Sequence, residues 1–284
     1  MLTFAACGGD DDSAARADDE PYIVATTAIW ADLVQQVACD GTFEVRPLLP
    51  PGADSHAYEP SLRDRELLDN ATLVVANGLG LEERLDDTLT EVEDGGVPLV
   101  RMGDHVDTLD EDPHVWFDPT RVSTALPAVG EALVAAGADR EDIDACVTAA
   151  QDALAELDAE VAATLDAVPA DRRLLVTNHD SLGYLADRYD FTVLGSILPS
   201  TSTLTEASPG QLEELSEAIA AEGVPAIFTE TISSADDAEA LAERLGVDVV
   251  ELYTESLGEP GSGVETYADF MRFNAQAIAD ALGS

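Results

Sequence analysis

The chain has 284 residues, 46% of them hydrophobic, enough apolar material for one large or two ordinary globular domains. No run approaches the roughly 18 to 20 apolar residues of a membrane span, which excludes a channel or permease subunit. Against 58 acidic residues stand 13 basic ones, all arginine, and a formal charge of -45 repels nucleic acid and anionic lipid heads, so a nucleic-acid partner is excluded.

The first seven residues end in Ala5-Ala6-Cys7 and precede Gly8-Gly9 and an acidic run from Asp10 to Glu20. They look like the tail of a bacterial lipoprotein signal that lacks its basic and long apolar regions, with Phe4 where such signals prefer Leu. On that reading Cys7 becomes the lipidated N-terminus, and residues 1–20 are a partial signal followed by a flexible tether. A plain exported or cytosolic N-terminus with an accidental cysteine is the alternative. Cys39 and Cys146 are left for the folded part, either paired in a disulfide or as two buried thiols.

From Tyr22 onward, short β-rich runs alternate with helical patterns, the signature of an α/β fold with mainly parallel sheets flanked by helices. Strands are expected at Tyr22 to Thr26, Phe43 to Leu49, Thr72 to Ala76 and Val97 to Val100. A second set is expected at Leu174 to Thr177, Thr192 to Leu194, Ala226 to Thr229 and Val247 to Glu251. Two sets predict two lobes, an N-terminal one at 21–138 and a C-terminal one at 170–284. Between them Ile143, Val147, Ala150, Leu154, Leu157, Val161, Leu165 and Val168 recur every three or four residues, which predicts one long helix within 139–169, about 39 Å in length, joining both lobes. A continuous helix resists wide hinge closure, so ligand binding is expected to move the lobes only modestly.

Of four histidines in the chain, three lie in polar-aromatic settings beside turn signals: Asp54-Ser55-His56-Ala57-Tyr58, Asp112-Pro113-His114-Val115-Trp116-Phe117-Asp118 and Asn178-His179-Asp180. Each follows a strand or sits in a loop before a helix, and in an open α/β sheet those loops meet at the ligand crevice. Taken singly, a histidine is more often a surface or hydrogen-bonded residue than a ligand, and His105 keeps that reading. Trp116 and Phe117 exclude water beside His114, and Asp112 and Asp118 are near enough to orient its imidazole. A fourth ligand is expected beyond the last strand, where Glu255 follows the apolar run Val247 to Val250. Gly78-Leu79-Gly80 has the look of a dinucleotide loop, but the third glycine position is Glu83, whose charge repels a pyrophosphate.

The stretches Leu48 to Pro60, Val74 to Glu82, Asp112 to Pro119, Asn178 to Leu185, Ile227 to Glu230 and Tyr267 to Asn274 together resemble the zinc/manganese solute-binding proteins of bacterial metal ABC transporters. The resemblance runs in order from Tyr22 to the C-terminus. It implies a lipid-anchored, extracytoplasmic receptor, expected to be a monomer, that captures a divalent metal ion between two lobes and hands it to an ABC permease. By position, His56 and His114 are implied as ligands from the N-terminal lobe, and His179 and Glu255 from the C-terminal lobe. The family commonly has Asp at the last position, so Glu255 is a departure. Glu230 is implied as a structural or supporting acid. The His-rich loop of many zinc members is reduced here to His105 and several acids, so metal scavenging by that loop is not expected.

Three imidazoles and a carboxylate suit the tetrahedral preference of Zn²⁺, whereas Mn²⁺ favours more oxygen and manganese members typically place a carboxylate where His179 stands. Zinc is therefore the expected cargo. A manganese-specific member, a metal-binding surface adhesin and, more distantly, a zinc hydrolase are the alternatives. The hydrolase lacks sequence support, since neither a His-Glu-x-x-His helix nor a Gly-x-Ser-x-Gly turn occurs. The acidic skin repels itself least where salt shortens the Debye length, to about 3 Å at 1 M, which suits a saline habitat; a generally acidic exported proteome is the competing explanation. The saline reading predicts a melting temperature that climbs through a salt series, and a flat series contradicts it.

Overall fold

Eight short strands build two sheets of one topology in the computed structural model, which describes residues 21–39, 41–232 and 234–283. The first sheet holds β1 (Tyr22–Ala25), β2 (Glu44–Pro47), β3 (Leu73–Ala76) and β4 (Leu99–Arg101) in the order β2-β1-β3-β4, all parallel. The second repeats that order as β6-β5-β7-β8, from β5 (Leu174–His179), β6 (Thr192–Leu198), β7 (Ala226–Glu230) and β8 (Asp248–Leu252). Every expected strand is present to within a few residues. The central strands β1, β3 and β7 are buried along their whole length, as parallel strands covered on both faces must be.

Helices α1 (Ala28–Val37), α2 (Leu62–Asp69), α3 (Asp86–Asp94) and α4 (Pro119–Ala135) belong to the first lobe. Helices α6 (Gly183–Tyr189), α7 (Pro209–Glu222), α8 (Asp236–Leu245) and α9 (Tyr267–Leu282) belong to the second. Between the sheets runs α5 (Arg140–Leu165), whose 26 residues span roughly 39 Å at 1.5 Å each. Asp139 caps it by accepting from the Glu141 and Asp142 amides, and a buried stripe from Ile143 through Ala150, Leu154, Leu157 and Val161 to Leu165 faces inward. No helix among the described residues is long and apolar enough to cross a membrane.

That stripe joins the lobes physically. One continuous core runs from Ile23 and Trp30 of the first lobe, through Val122, Val129 and the α5 stripe, to Leu175, Phe228 and Phe270 of the second. Smaller clusters fill the outer face of each sheet. Asp158 is the single charged residue on the inner face of α5, and Arg188 and Tyr189 of α6 satisfy it, the tyrosine hydroxyl at 3.0 Å and the Arg188 Nε at 2.9 Å. Cys39 and Cys146 form a disulfide, with Cα atoms 5.9 Å apart, that fastens the end of α1 to α5. Closing a loop of 107 residues removes unfolded-state freedom worth on the order of 4 kcal/mol in the chain-entropy account.

The turn after β3 needs glycine: Gly78, Leu79 and Gly80 all have left-handed backbones, with φ of 77°, 56° and 78°. The buried carboxylate of Glu82 closes this turn, accepting from the Thr26 hydroxyl and the amides of Asn77 and Gly78 at 2.7, 2.7 and 3.0 Å. The place a dinucleotide's pyrophosphate would need is thus filled by the protein's own acid.

Candidate metal centre

All the candidate ligands stand beyond the carboxyl ends of strands, at the crevice where the two sheets face each other. His56 lies in the loop after β2, His114 in the loop after β4, His179 is the last residue of β5, and Glu255 follows β8. One ligand atom from each lies within 4.8 Å of all the others, and each of the four residues is 1% exposed or less. His105, by contrast, is exposed and takes no part.

Two of the rings are aimed by a hydrogen-bonded carboxylate, and the third has one nearby. His114 directs Nδ1 to Asp112 Oδ1 at 2.7 Å, and the same oxygen accepts from the His114 amide at 2.9 Å. His179 directs Nδ1 to Glu230 Oε1 at 2.5 Å. His56 has Nδ1 3.3 Å from Glu83 Oε1. The Nε2 atoms face inward: His179 Nε2 is 3.1 Å from His114 Nε2 and 3.3 Å from Glu255 Oε1, and His56 Nε2 is 3.5 Å from the same oxygen. Both His56 nitrogens and Glu255 Oε1 are buried without a hydrogen-bond partner. A tetrahedral ion with ligand bonds of 2.0–2.1 Å separates its donors by about 3.3–3.4 Å, and these three separations lie near that value.

The loops are held by local chemistry. Asp54 Oδ1 accepts from the His56 and Ala57 amides at 2.9 and 3.2 Å, an Asx turn, while its Oδ2 accepts from Thr203 of the opposite lobe at 2.7 Å. Asn77 ties the Pro113 carbonyl to the end of β3 and itself accepts from Trp30 Nε1, each at 2.9 Å. Trp116 packs its ring 5.2 Å from that of His114 and donates Nε1 to the Thr254 carbonyl at 2.7 Å, locating the Glu255 loop. Glu255 Oε2 accepts from the Ser55 amide at 2.9 Å, so the carboxylate carried by the second lobe is itself held by the first.

Charge follows this geometry. Burial opposes a proton on His179, yet Glu230 and Glu255 outweigh it and push the pKa up to about 10. Burial together with the neighbouring His179 drives His114 well below the ordinary histidine range. Burial raises Glu255, but His179 and His56 overcome it and hold its pKa down to about 2. Burial lifts Asp112 to about 7 despite the His114 amide. A proton favoured on His179 is one that an incoming cation has to displace.

Two expectations about the supporting acids need revision. Asp118 orients no imidazole; it caps α4, accepting from the Thr120 and Arg121 amides at 2.8 and 3.3 Å, because Pro119 at the first helical position calls for an Asp before it. Glu83, noticed only as an unsuitable glycine substitute, is instead the acid beside His56. Its signal was out of reach in the sequence, since the two lie 27 positions apart with α2 and β3 between them.

The family model described as "Zinc-uptake complex component A periplasmic" matches residues 23–281. The chain belongs to this family. It is 35% identical to the zinc-binding protein TroA of Treponema pallidum, over 99% of this chain and 95% of that protein. It is 28% identical to the manganese-binding lipoprotein MntA of Halalkalibacterium halodurans, with the same coverage of 99% and 95%. The solved structure of the periplasmic zinc-binding protein TroA superposes with a TM-score of 0.87 at 32% identity, covering 93% of this chain and 100% of that one. Zinc and manganese relatives thus both surround this chain, and the donor set has to distinguish them.

The carboxylate behind His179 yields a prediction. Glu230→Gln should weaken zinc binding by about 10- to 100-fold, and, with the opposing charge gone, fewer protons should leave when zinc enters. Zinc titration by calorimetry in two buffers of different ionisation enthalpy reads both; unchanged affinity contradicts the assigned role.

Proposed function

We propose that this protein captures Zn²⁺ outside the cytoplasm and delivers it to an ABC permease, using His56, His114, His179 and Glu255 as its ligands. The observation that carries the reading is the convergence of three Nε2 atoms and one carboxylate oxygen, drawn from both lobes, into one buried cluster. The zinc-binding name of TroA and the family description agree with it. The lobes are proposed at 21–138 and 170–284, with 139–169 joining them.

Zinc is preferred over manganese on donor chemistry. Manganese favours a shell richer in oxygen, and only one of the four donors here is oxygen. Binding is preferred over hydrolysis for a related reason. A catalytic zinc keeps one coordination position for water, whereas four protein donors close the tetrahedron. Donors divided between two lobes suit an ion that is released when the lobes part. Cys7, which lies outside the described residues, is proposed as the site of lipid attachment, in keeping with the lipoprotein names of the manganese relatives.

Competitive titration tests the metal assignment. Wild-type protein should take up one zinc and prefer it to manganese, and His179→Glu should shift that preference toward manganese by adding a second hard oxygen donor. An unaltered zinc-to-manganese ratio in that variant contradicts the assignment.

A further inference from the structure

We propose that the first turn of α6, through Gly183 and Tyr184, is a positioning device for His114, so that the second lobe sets the aim of a ligand carried by the first. The inference rests on the ligand set proposed above. It begins with Asp112, whose Oδ1 is committed twice, to the His114 amide at 2.9 Å and to Nδ1 at 2.7 Å. The direction of the imidazole therefore follows the position of this one carboxylate.

The other oxygen of that carboxylate lies against Gly183. A Cβ at this position would stand 2.5 Å from Asp112 Oδ2 and 3.7 Å from its Cγ, inside any tolerable contact for the oxygen. Glycine is a poor helix former, yet here it occupies the first position of α6, where its bare Cα admits the acid. An aspartate has few rotatable bonds to absorb a displacement, and turning the carboxyl group moves both oxygens together, so a methyl group at 183 dislodges Oδ1 from Nδ1.

The backbone of Asp112 has no freedom to compensate. The fully buried Tyr184 donates its hydroxyl to the Asp112 carbonyl at 3.0 Å and accepts from the Leu109 amide at 3.0 Å, clasping the 109–112 loop from both ends. The Arg121 guanidinium lies 5.0 Å over the Tyr184 ring and reaches Asp187, one turn further along α6, at 2.9 Å. Side-chain contact and main-chain clasp link α6 to the loop that carries His114, and the ion pair links it to α4, which follows that loop. When the lobes stand together His114 is aimed; when α6 withdraws, the aim is lost, which couples ion retention to lobe apposition without a separate latch.

The test is a double-mutant cycle on zinc affinity, read by competition with a chromophoric zinc chelator. Gly183→Ala should weaken binding by about 10- to 100-fold, the range found when an outer partner of a ligating histidine is disturbed. In an Asp112→Ala background the same change should add less than about threefold, because its target is gone. Tyr184→Phe, which removes only the clasping hydroxyl, should weaken zinc binding while the metal-free protein still unfolds cooperatively, and it carries the test if Gly183→Ala does not fold. Wild-type affinity in both Gly183→Ala and Tyr184→Phe, or an equal loss from Gly183→Ala in both backgrounds, overturns the proposal. Retention of full zinc affinity by His114→Ala would instead overturn the ligand assignment on which it rests.

Discussion

The hydrogen bonds from histidine Nδ1 to Asp112 and Glu230 are the constraint from which the centre follows. An imidazole has two nitrogens, and a buried ring that gives one of them to a carboxylate leaves the other to face whatever lies opposite. Here what lies opposite is another such ring and Glu255. Glu230, together with Glu255, raises the basicity of the His179 ring, which favours a cation at that ring whether that cation is a proton or a metal. A cluster of this kind, buried and with donor atoms left unpaired, is unfavourable by itself and is relieved when a cation enters.

The architecture around the cluster limits how it opens. A single core passes from one sheet through α5 to the other, and the disulfide anchors α5 to α1. The contacts that close the crevice are of a different character. Asp54 with Thr203, Gly52 with Ser256, Ser55 with Glu255 and Trp116 with Thr254 are hydrogen bonds between loops, each exchangeable with water. Separation of the lobes at the mouth thus loses polar contacts while the apolar spine stays intact.

Much of this was legible in the sequence, for identifiable reasons. The strands announce themselves as short β-branched runs between turn residues, and the spine as a three-four apolar rhythm. β6 extends to Leu198, beyond the expected Leu194, because Gly195 and Ser196 interrupt the apolar signal while the ladder, after a register shift, resumes through them. Histidine is scarce in this chain, so three of them in aromatic and acidic settings stood out. Glu255 is one acid among 58 and is recognisable only through the strand that precedes it. Glu83 and Gly183 acquire their roles from neighbours distant in the chain, His56 and Asp112, and no local pattern encodes such a meeting. Asp118 shows the converse error: an acid close in sequence to a histidine was serving the next helix instead.

Between relatives named for zinc and relatives named for manganese, the zinc assignment proposed here depends on the nitrogen-rich cluster of three histidines and one glutamate. X-ray absorption at the zinc edge of the loaded protein measures that shell directly. The account predicts four light donors at about 2.0–2.1 Å with the outer-shell scattering of imidazole. A shell of five or six oxygens without imidazole scattering would place the ion on the acidic surface and contradict the buried centre.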